Sequence, residues 1–520
     1  MDLGFLDSSR SRFQRYRIPL LLTMVGLGLY LLTTGAFIDN PDGQSAYSMS
    51  RGLLLRGSFA IPPEDRLDSL FEKPGRNDAV YSKYGFIQPI LQVPLVAAGM
   101  KLAPGAEREA SEAAAALFPA IITASTLPLL WAIAMLLYGS SRISLAISLT
   151  YGVATMAWQY ATLTYTEPLL TALLLLSVYV LIRIAVTPVR APLRMFVLAG
   201  TLTGLCILTK YPAVIYLPAL LWYIRAIPAG GRWRWIAFLG PLVGSSMILA
   251  TYNIWRYGNI LNTGYHIQEL IRLPRSPLYG LYVLFLSSGK SIFLYAPPLA
   301  LAIMSVGRFV RQQRAVGLFI VFLAGSSALF YSTVNPWHGA WSPGPRYHLP
   351  ILGLMLLPLG ERFQRWSELG RWQQWVTISV ICFGCITQLI MVSIPYNDVL
   401  IVVQTITANQ YAWGFWFFDP DYSPLLWQAR LTVSAVTRLV TGHSGLAGLD
   451  SIQSTDHPAA AVDSFNFWWI HHSGWFRLPG MLLLLMILIY GIRSLIRHLL
   501  EPEHRPSRHP RRTLVPDMGE

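Results

Sequence analysis

Gly85-Phe86-Ile87-Gln88-Pro89-Ile90-Leu91-Gln92-Val93-Pro94-Leu95-Val96-Ala97-Ala98-Gly99-Met100-Lys101-Leu102 is apolar enough to cross a bilayer, yet it holds two prolines and follows a polar loop. Counted as a span, it reverses the orientation of every segment after it. The arginine-bearing short loops choose between the two readings. With a cytoplasmic N-terminus and 85–102 at the outer interface, Arg183/Arg190/Arg194, Arg225/Arg232/Arg234, Arg308/Arg311/Arg314, Arg362/Arg365/Arg371 and the lone Arg142 all face the cytoplasm. The tail arginines Arg493, Arg497, Arg505, Arg508, Arg511 and Arg512 join them. The opposite choice sends the first four clusters outside, against the positive-inside bias. The stretch is therefore read as re-entrant or interfacial.

Working outward, the whole chain has the composition of a membrane protein. Of its 520 residues 53% are hydrophobic and 13% charged, with a mean hydropathy of +0.45. Soluble domains carry about twice that charged share. Apolar runs such as Leu20–Phe37, Pro168–Ile184 and Met481–Ile496 approach the ~20 residues needed to cross a bilayer core. Spans are expected near 18–37, 111–137, 142–160, 168–186, 193–209, 211–226, 235–254, 290–306, 315–332, 347–360, 374–394 and 477–497. The fold class is thus an all-α polytopic membrane protein with about twelve spans and a first outer loop, 38–110, containing interfacial helices. Three regions are expected: a transmembrane core over 1–394, an outer-face loop region over 395–476, and a last helix with a basic cytoplasmic tail over 477–520.

The net charge of +14 is scattered through short loops rather than laid along one face, which argues against nucleic acid. Cys206, Cys382 and Cys385 all fall in apolar segments and read as small packing residues rather than a redox or zinc pair. Arg10, Arg12, Arg15 and Arg17 precede the first apolar run with no A-x-A site after it, the pattern of an uncleaved signal-anchor.

This topology puts the long or aromatic-rich loops 38–110, 255–289, 333–346 and 395–476 on the outer face, where function is expected. Asp39 and Asp42 leave the first span at the bilayer surface, placed for a general base or a metal ligand; alternatively Asp42 is the N-cap of the run Gln44–Arg56. Lys83 could hold a phosphate or snorkel to head groups. Glu167, just before Pro168, either serves a site or complements a helix dipole. Lys210 stands at a tight corner between two spans, a phosphate ligand or a helix cap. The richest stretch runs from Asn335 to His348. Its Gly and Pro residues shape a loop, Trp337 and Trp341 offer faces for a sugar or an isoprenoid or else belong to an aromatic interface belt, and Arg346, which a belt does not explain, offers a planar fork for phosphate. Ser288-Gly289-Lys290-Ser291 lacks the earlier glycine, the preceding strand and the cytoplasmic location of a nucleotide loop.

In their order along the chain these pieces resemble the GT-C class of membrane glycosyltransferases that use polyprenyl-phosphate sugars, nearest the group of protein O-mannosyltransferases and aminoarabinose transferases. The resemblance is carried by Asp42-Gly43-Gln44-Ser45-Ala46-Tyr47, Leu53–Phe59, Lys83-Tyr84-Gly85 with Pro89 and Pro94, Tyr165-Thr166-Glu167-Pro168, Leu208-Thr209-Lys210-Tyr211, Arg256-Tyr257-Gly258 with Thr263-Gly264-Tyr265, and Gly344-Pro345-Arg346-Tyr347. It covers roughly residues 20–360, and departs from the commoner pattern in placing glycine after Asp42. It implies sugar transfer from a polyprenyl-phosphate donor to an acceptor hydroxyl on the outer face, with inversion. Asp42 is implied as the base, with Asp39 the other candidate. Lys83, Tyr84, Lys210, Arg346 and His338 would hold the donor phosphate, and Glu167, Tyr347 and Tyr265 would orient the substrates. The acceptor is a protein, lipid or glycan. No cofactor is demanded, and a divalent metal is compatible with the carboxylates. The resemblance places the protein in a bacterial inner membrane with its site on the periplasmic face. The rival readings are a ligase or polymerase of lipid-linked glycans, and a lipid-linked sugar transporter or flippase. The spans carry almost no mid-membrane charge and show no internal repeat, unlike most transporters.

Overall fold

A computed structural model describes residues 4–67, 71–186, 192–265, 276–333, 339, 342–406, 417–446, 448–454, 460–471 and 477–500. Seven of its helices are long and apolar enough to cross a membrane: Tyr16–Thr33, Glu107–Tyr138, Glu167–Val186, Trp233–Tyr257, Arg314–Thr333, Arg371–Ser393 and Arg477–Leu499. They coincide with seven of the expected spans. The protein is a multi-pass membrane protein.

The other five expected spans are shorter or interrupted, and proline or a side-chain bond to the backbone accounts for most of the breaks. The run 290–306 divides into Ile292–Tyr295 and Pro298–Gln312 because Pro297 and Pro298 cannot donate backbone bonds to the preceding turn. The run 347–360 divides at Pro358 into Leu349–Leu356 and Leu359–Gln364. The run 142–160 divides into Ser141–Ala154 and Ala157–Ala161 around Thr155, whose hydroxyl donates to the Tyr151 carbonyl at 2.6 Å. The run 211–226 opens as a 3-10 turn over Tyr211–Tyr216, and Leu193–Thr209 is a single helix. Broken helices survive at membrane depth where protein covers their backbone, and Tyr295, Leu299, Ile351, Leu354 and Tyr160 are all fully buried. One expectation is corrected: 255–289 is not wholly loop. It contains the apolar helix Pro277–Leu286, started by Ser276, whose hydroxyl accepts from the Leu278 amide.

The stretch 85–102 folds as the helix Ile87–Leu102. Its partner is Glu107–Ala116, the leading part of a 32-residue helical run. Such a run is ~48 Å long at 1.5 Å per residue, well beyond the ~30 Å hydrocarbon core. The overhang carries Glu107, Arg108, Glu109 and Glu112. Ile87–Leu102, shorter than the seven long apolar helices, packs on this polar-ended segment beside Pro41–Arg56. A short hairpin, Glu72–Pro74 paired antiparallel with Val80–Ser82, closes this loop and ends at Lys83.

The first helix packs along the last, Arg477–Leu500. Its terminal carbonyls, which lack partners within a helix, are met from far along the chain. The Trp468 and Trp469 indoles donate to Leu31 and Leu32 at 2.8 and 2.9 Å. The Trp468 amide donates to Thr34 at 2.9 Å.

Candidate active site

Asn40, not Asp42, caps the helix Pro41–Arg56. Its side chain accepts from the Gly43 amide at 2.8 Å, and Pro41 occupies the first turn, where a missing N–H costs nothing. The capping alternative for Asp42 is therefore corrected. Asp42 lies inside the first turn with its carboxylate available to other groups. Gly43 permits the next contact, since a Cβ there would strike the Thr164 carbonyl. The helix start is thereby seated against Thr164–Glu167.

Two other backbones converge on the same place. Ser82 is tied to Ser45 by a 2.6 Å hydroxyl bond. A Cβ on Gly85 would collide with the Leu208 and Thr209 carbonyls, so Tyr84 arrives beside the corner that carries Lys210. Lys210 ends the helix Leu193–Thr209 in an extended conformation, while Glu167 begins Glu167–Val186.

Into this junction comes Arg346 from the 3-10 turn Arg346–His348. Its Nη1 donates to Asp42 Oδ2 at 3.0 Å, and its Nε lies 3.6 Å from Glu167 Oε1. Lys210 Nζ donates to that same Glu167 oxygen at 2.5 Å. The Tyr84 hydroxyl donates to Asp42 Oδ1. The Arg346 guanidinium lies over the Tyr165 and Tyr347 rings, 4.7 and 5.1 Å from their centroids, and Lys210 lies 4.9 Å from that of Tyr347. Asp42, Glu167, Lys210 and Arg346 are each less than a tenth exposed. Lys83, half-buried, sits against Phe71, Tyr84 and Tyr265, with its Nζ 5.7 Å from the Tyr265 ring centre. Tyr265 itself meets Tyr84 and Tyr211 edge-on.

Nine of the ten sequence-derived site residues lie among the described residues; His338 lies outside them, as do Trp337 and Trp341. Asp42, Lys83, Tyr84, Glu167, Lys210, Tyr265, Arg346 and Tyr347 form the cluster just described. Asp39 has hydrogen-bond partners of its own. The Asn40 amide donates to its carboxylate at 3.0 Å, and the Asn397 side chain donates to its backbone carbonyl.

Electrostatics separate the two aspartates. Burial raises the carboxyl of Asp42, but Arg346, the Tyr84 hydroxyl, Lys210 and Lys83 outweigh it and hold the group below its ordinary value. Burial dominates at Asp39 and pushes its carboxyl up to about 6, against smaller opposing hydrogen bonds. The Tyr84 phenol is raised well above its usual range by burial and by Asp42, which keeps it a donor. Among the described residues, Lys83, Lys210 and Arg346 thus gather around Asp42 and Glu167, and such grouped donors can hold an anion such as a phosphate.

Sequence reasoning passed over two further residues. Arg256, fully buried, donates to the Ser82 carbonyl at 2.7 Å and to Asn253 Oδ1 at 2.8 Å; it also lies 3.9 Å from the Tyr252 ring centre. It fixes the turn that presents Lys83. Its only sequence signal was its place in Arg256-Tyr257-Gly258. Lys290, within the rejected phosphate loop, is buried and reaches the backbone just before Arg346. No local signal could have revealed that contact, because the partner is about 50 residues away.

Comparison with known proteins agrees with this architecture. A family profile described as dolichyl-phosphate-mannose-protein mannosyltransferase matches residues 89–255. No curated protein matches the sequence. Among solved structures, ArnT from Cupriavidus metallidurans in the apo state superposes with a TM-score of 0.50 at 15% identity, covering 81% of this chain and 69% of that one. The same protein bound to undecaprenyl phosphate gives 0.48 at 14% identity over 86% and 84%. An Archaeoglobus fulgidus oligosaccharyltransferase tethered with an acceptor peptide gives 0.49 at 10% identity over 77% and 58%. The chain has the fold of the GT-C membrane glycosyltransferases. The profile match is confined to residues 89–255, while the superposition on apo ArnT spans most of both chains.

Proposed function

We propose that the protein transfers a sugar from a polyprenyl-phosphate donor to an acceptor hydroxyl at the non-cytoplasmic face, in a bacterial inner membrane. One observation carries the reading: Asp42, Arg346, Glu167 and Lys210 form a continuous buried charge network at the ends of helices in a GT-C fold. A transporter spreads ionisable groups along a path near the midplane. Here they converge on one point beside the interfacial helices.

The acceptor oxygen attacks the anomeric carbon while the bond from that carbon to the phosphate oxygen breaks. The electron pair leaves with the polyprenyl phosphate. The acceptor proton passes to a first-loop carboxylate, for which we choose Asp42, with Asp39 as the alternative. Lys83, Lys210 and Arg346 stabilise the charge gathering on the departing phosphate. Tyr84 and Glu167 hold Asp42 and the two cations in place, while Tyr347 and Tyr265 wall the site. A divalent metal stays compatible with these carboxylates, and the assay below is run with and without EDTA to decide it.

The test is transfer or donor hydrolysis by the purified protein, with and without EDTA, for wild type, Asp42→Asn and Asp39→Asn. We expect wild-type turnover, and a loss of at least 10²-fold in the variant lacking the base; loss of turnover in EDTA would assign a metal to the step. No turnover across a panel of donors, together with movement of lipid-linked sugar across reconstituted vesicles, would replace the reading with transport.

A further inference from the structure

The turn Ser288-Gly289-Lys290-Ser291 has no place in the chemistry above, yet it is built tightly against it. Lys290 is only 2% exposed. Its ammonium donates to the carbonyl of Ser342 and lies 3.4 Å from that of Gly344. Between these two, the Pro343 carbonyl accepts from the Tyr160 hydroxyl at 2.7 Å. Gly344 adopts φ 58°, and a Cβ there would strike the Tyr295 ring at 2.7 Å. The Tyr295 hydroxyl in turn donates to the Gly289 carbonyl at 3.1 Å. The two turns are locked face to face.

The sequence makes this lock necessary. Pro343 and Pro345 have no N–H, so the segment before Arg346 can form few bonds of its own. Its place has to be set from outside. A lysine can do this, because it spans the gap on a long stem and offers several donors to adjacent carbonyls. Arg346 begins two residues beyond Gly344, and its guanidinium must meet Asp42 at 3.0 Å and face Glu167 at 3.6 Å. A shift of the turn moves that fork. The turn is also gripped from behind: Ser288 donates to the Phe417 carbonyl at 3.2 Å, and Ser423 donates to the Ser288 carbonyl at 2.7 Å.

We propose that Lys290 is a positioning residue for Arg346, fixing the Ser342–Gly344 backbone so that the guanidinium meets the carboxylates of the site. The inference rests on the transferase reading for its kinetic test. The variants are Lys290→Met, Lys290→Arg, Arg346→Met and the double Lys290→Met/Arg346→Met, made in the full chain. For each, kcat and donor KM are measured with a polyprenyl-phosphate sugar, and thermal unfolding is followed without substrate.

A displacement of about 1 Å at a reacting group costs about 10²-fold. We expect kcat of Lys290→Met to fall at least tenfold, with donor KM within about threefold. Lys290→Arg should recover most of the loss, because its fork also reaches two carbonyls. The double variant should be no slower than Arg346→Met alone. Wild-type kcat in Lys290→Met, or a double loss equal to the product of the single losses, overturns the proposal. If Lys290→Met does not fold, Tyr160→Phe frees the Pro343 carbonyl instead. A kcat loss that vanishes in the Arg346→Met background then supports the proposal, and no loss overturns it. Should wild type turn over no donor, the transferase reading falls and thermal unfolding decides the positioning role: non-additive melting shifts support it, additive ones overturn it.

Discussion

Replacing Glu167 by Gln removes one charge and little volume from the centre of the site. Glu167 is 1% exposed and faces two cations, Lys210 at 2.5 Å and Arg346 at 3.6 Å. In the variant those cations share Asp42 alone among the four groups. Breaking a buried ion pair by removing one partner costs about 3–5 kcal/mol, because a charge is left buried without compensation. The unfolding entropy of about 2.1 cal/mol/K per residue, applied to this chain, converts 1 kcal/mol into about 1 °C. Melting of the purified protein in detergent, followed by intrinsic fluorescence, should therefore drop by about 3–5 °C. Removing the partner cation as well, in Glu167→Gln/Lys210→Met, should restore most of that loss, since deleting both halves of a buried pair is often near neutral. Both proteins should be inactive. A melting change under about 1 °C for the single variant, or a double variant as unstable as the two single losses combined, would refute the argument that Glu167 holds these cations.

Two further outcomes follow from the same geometry. A base works deprotonated, so kcat/KM rises with pH through its pKa. With Asp42, held low by Arg346 and Tyr84, the profile should be flat from about pH 5 upward, whereas an acidic limb centred near 6 assigns the base to Asp39. Gly85→Ala places a methyl against the Leu208 and Thr209 carbonyls; pushing that backbone away should cost about 1–3 kcal/mol and most of the activity, and a variant with wild-type melting and turnover would count against a close approach there.

Much of this site could be read from residue order, and the reasons for the misses are physical. Aspartate, glutamate, lysine and arginine at helix ends are conspicuous in an apolar sequence, because burying charge is expensive unless it is paired. That is why Asp42, Glu167, Lys210 and Arg346 stand out before any contact is known. Local rules fail where neighbours compete. Both Asn40 and Asp42 are good caps, and Pro41 decides between them by occupying the first turn. The run 290–306 looks continuous by hydropathy, which does not register the N–H groups missing at Pro297 and Pro298. Lys290 fails as part of a nucleotide motif, and that failure conceals its contact with a distant turn. Asp39 and Asp42 are the same residue type three positions apart, and only their different surroundings set their acidities apart.

The tryptophans that complete the first helix bear on how the protein comes to exist at all. That helix emerges from the ribosome well before the indoles that finish its end, which belong to residues 468 and 469. At about 5–20 residues per second, tens of seconds separate the two events. During that interval the segment bearing Asp39 and Asp42 follows an unfinished helix end. Biogenesis thus has its own chronology: the end of this helix gains these two partners only once residues 468 and 469 have been made.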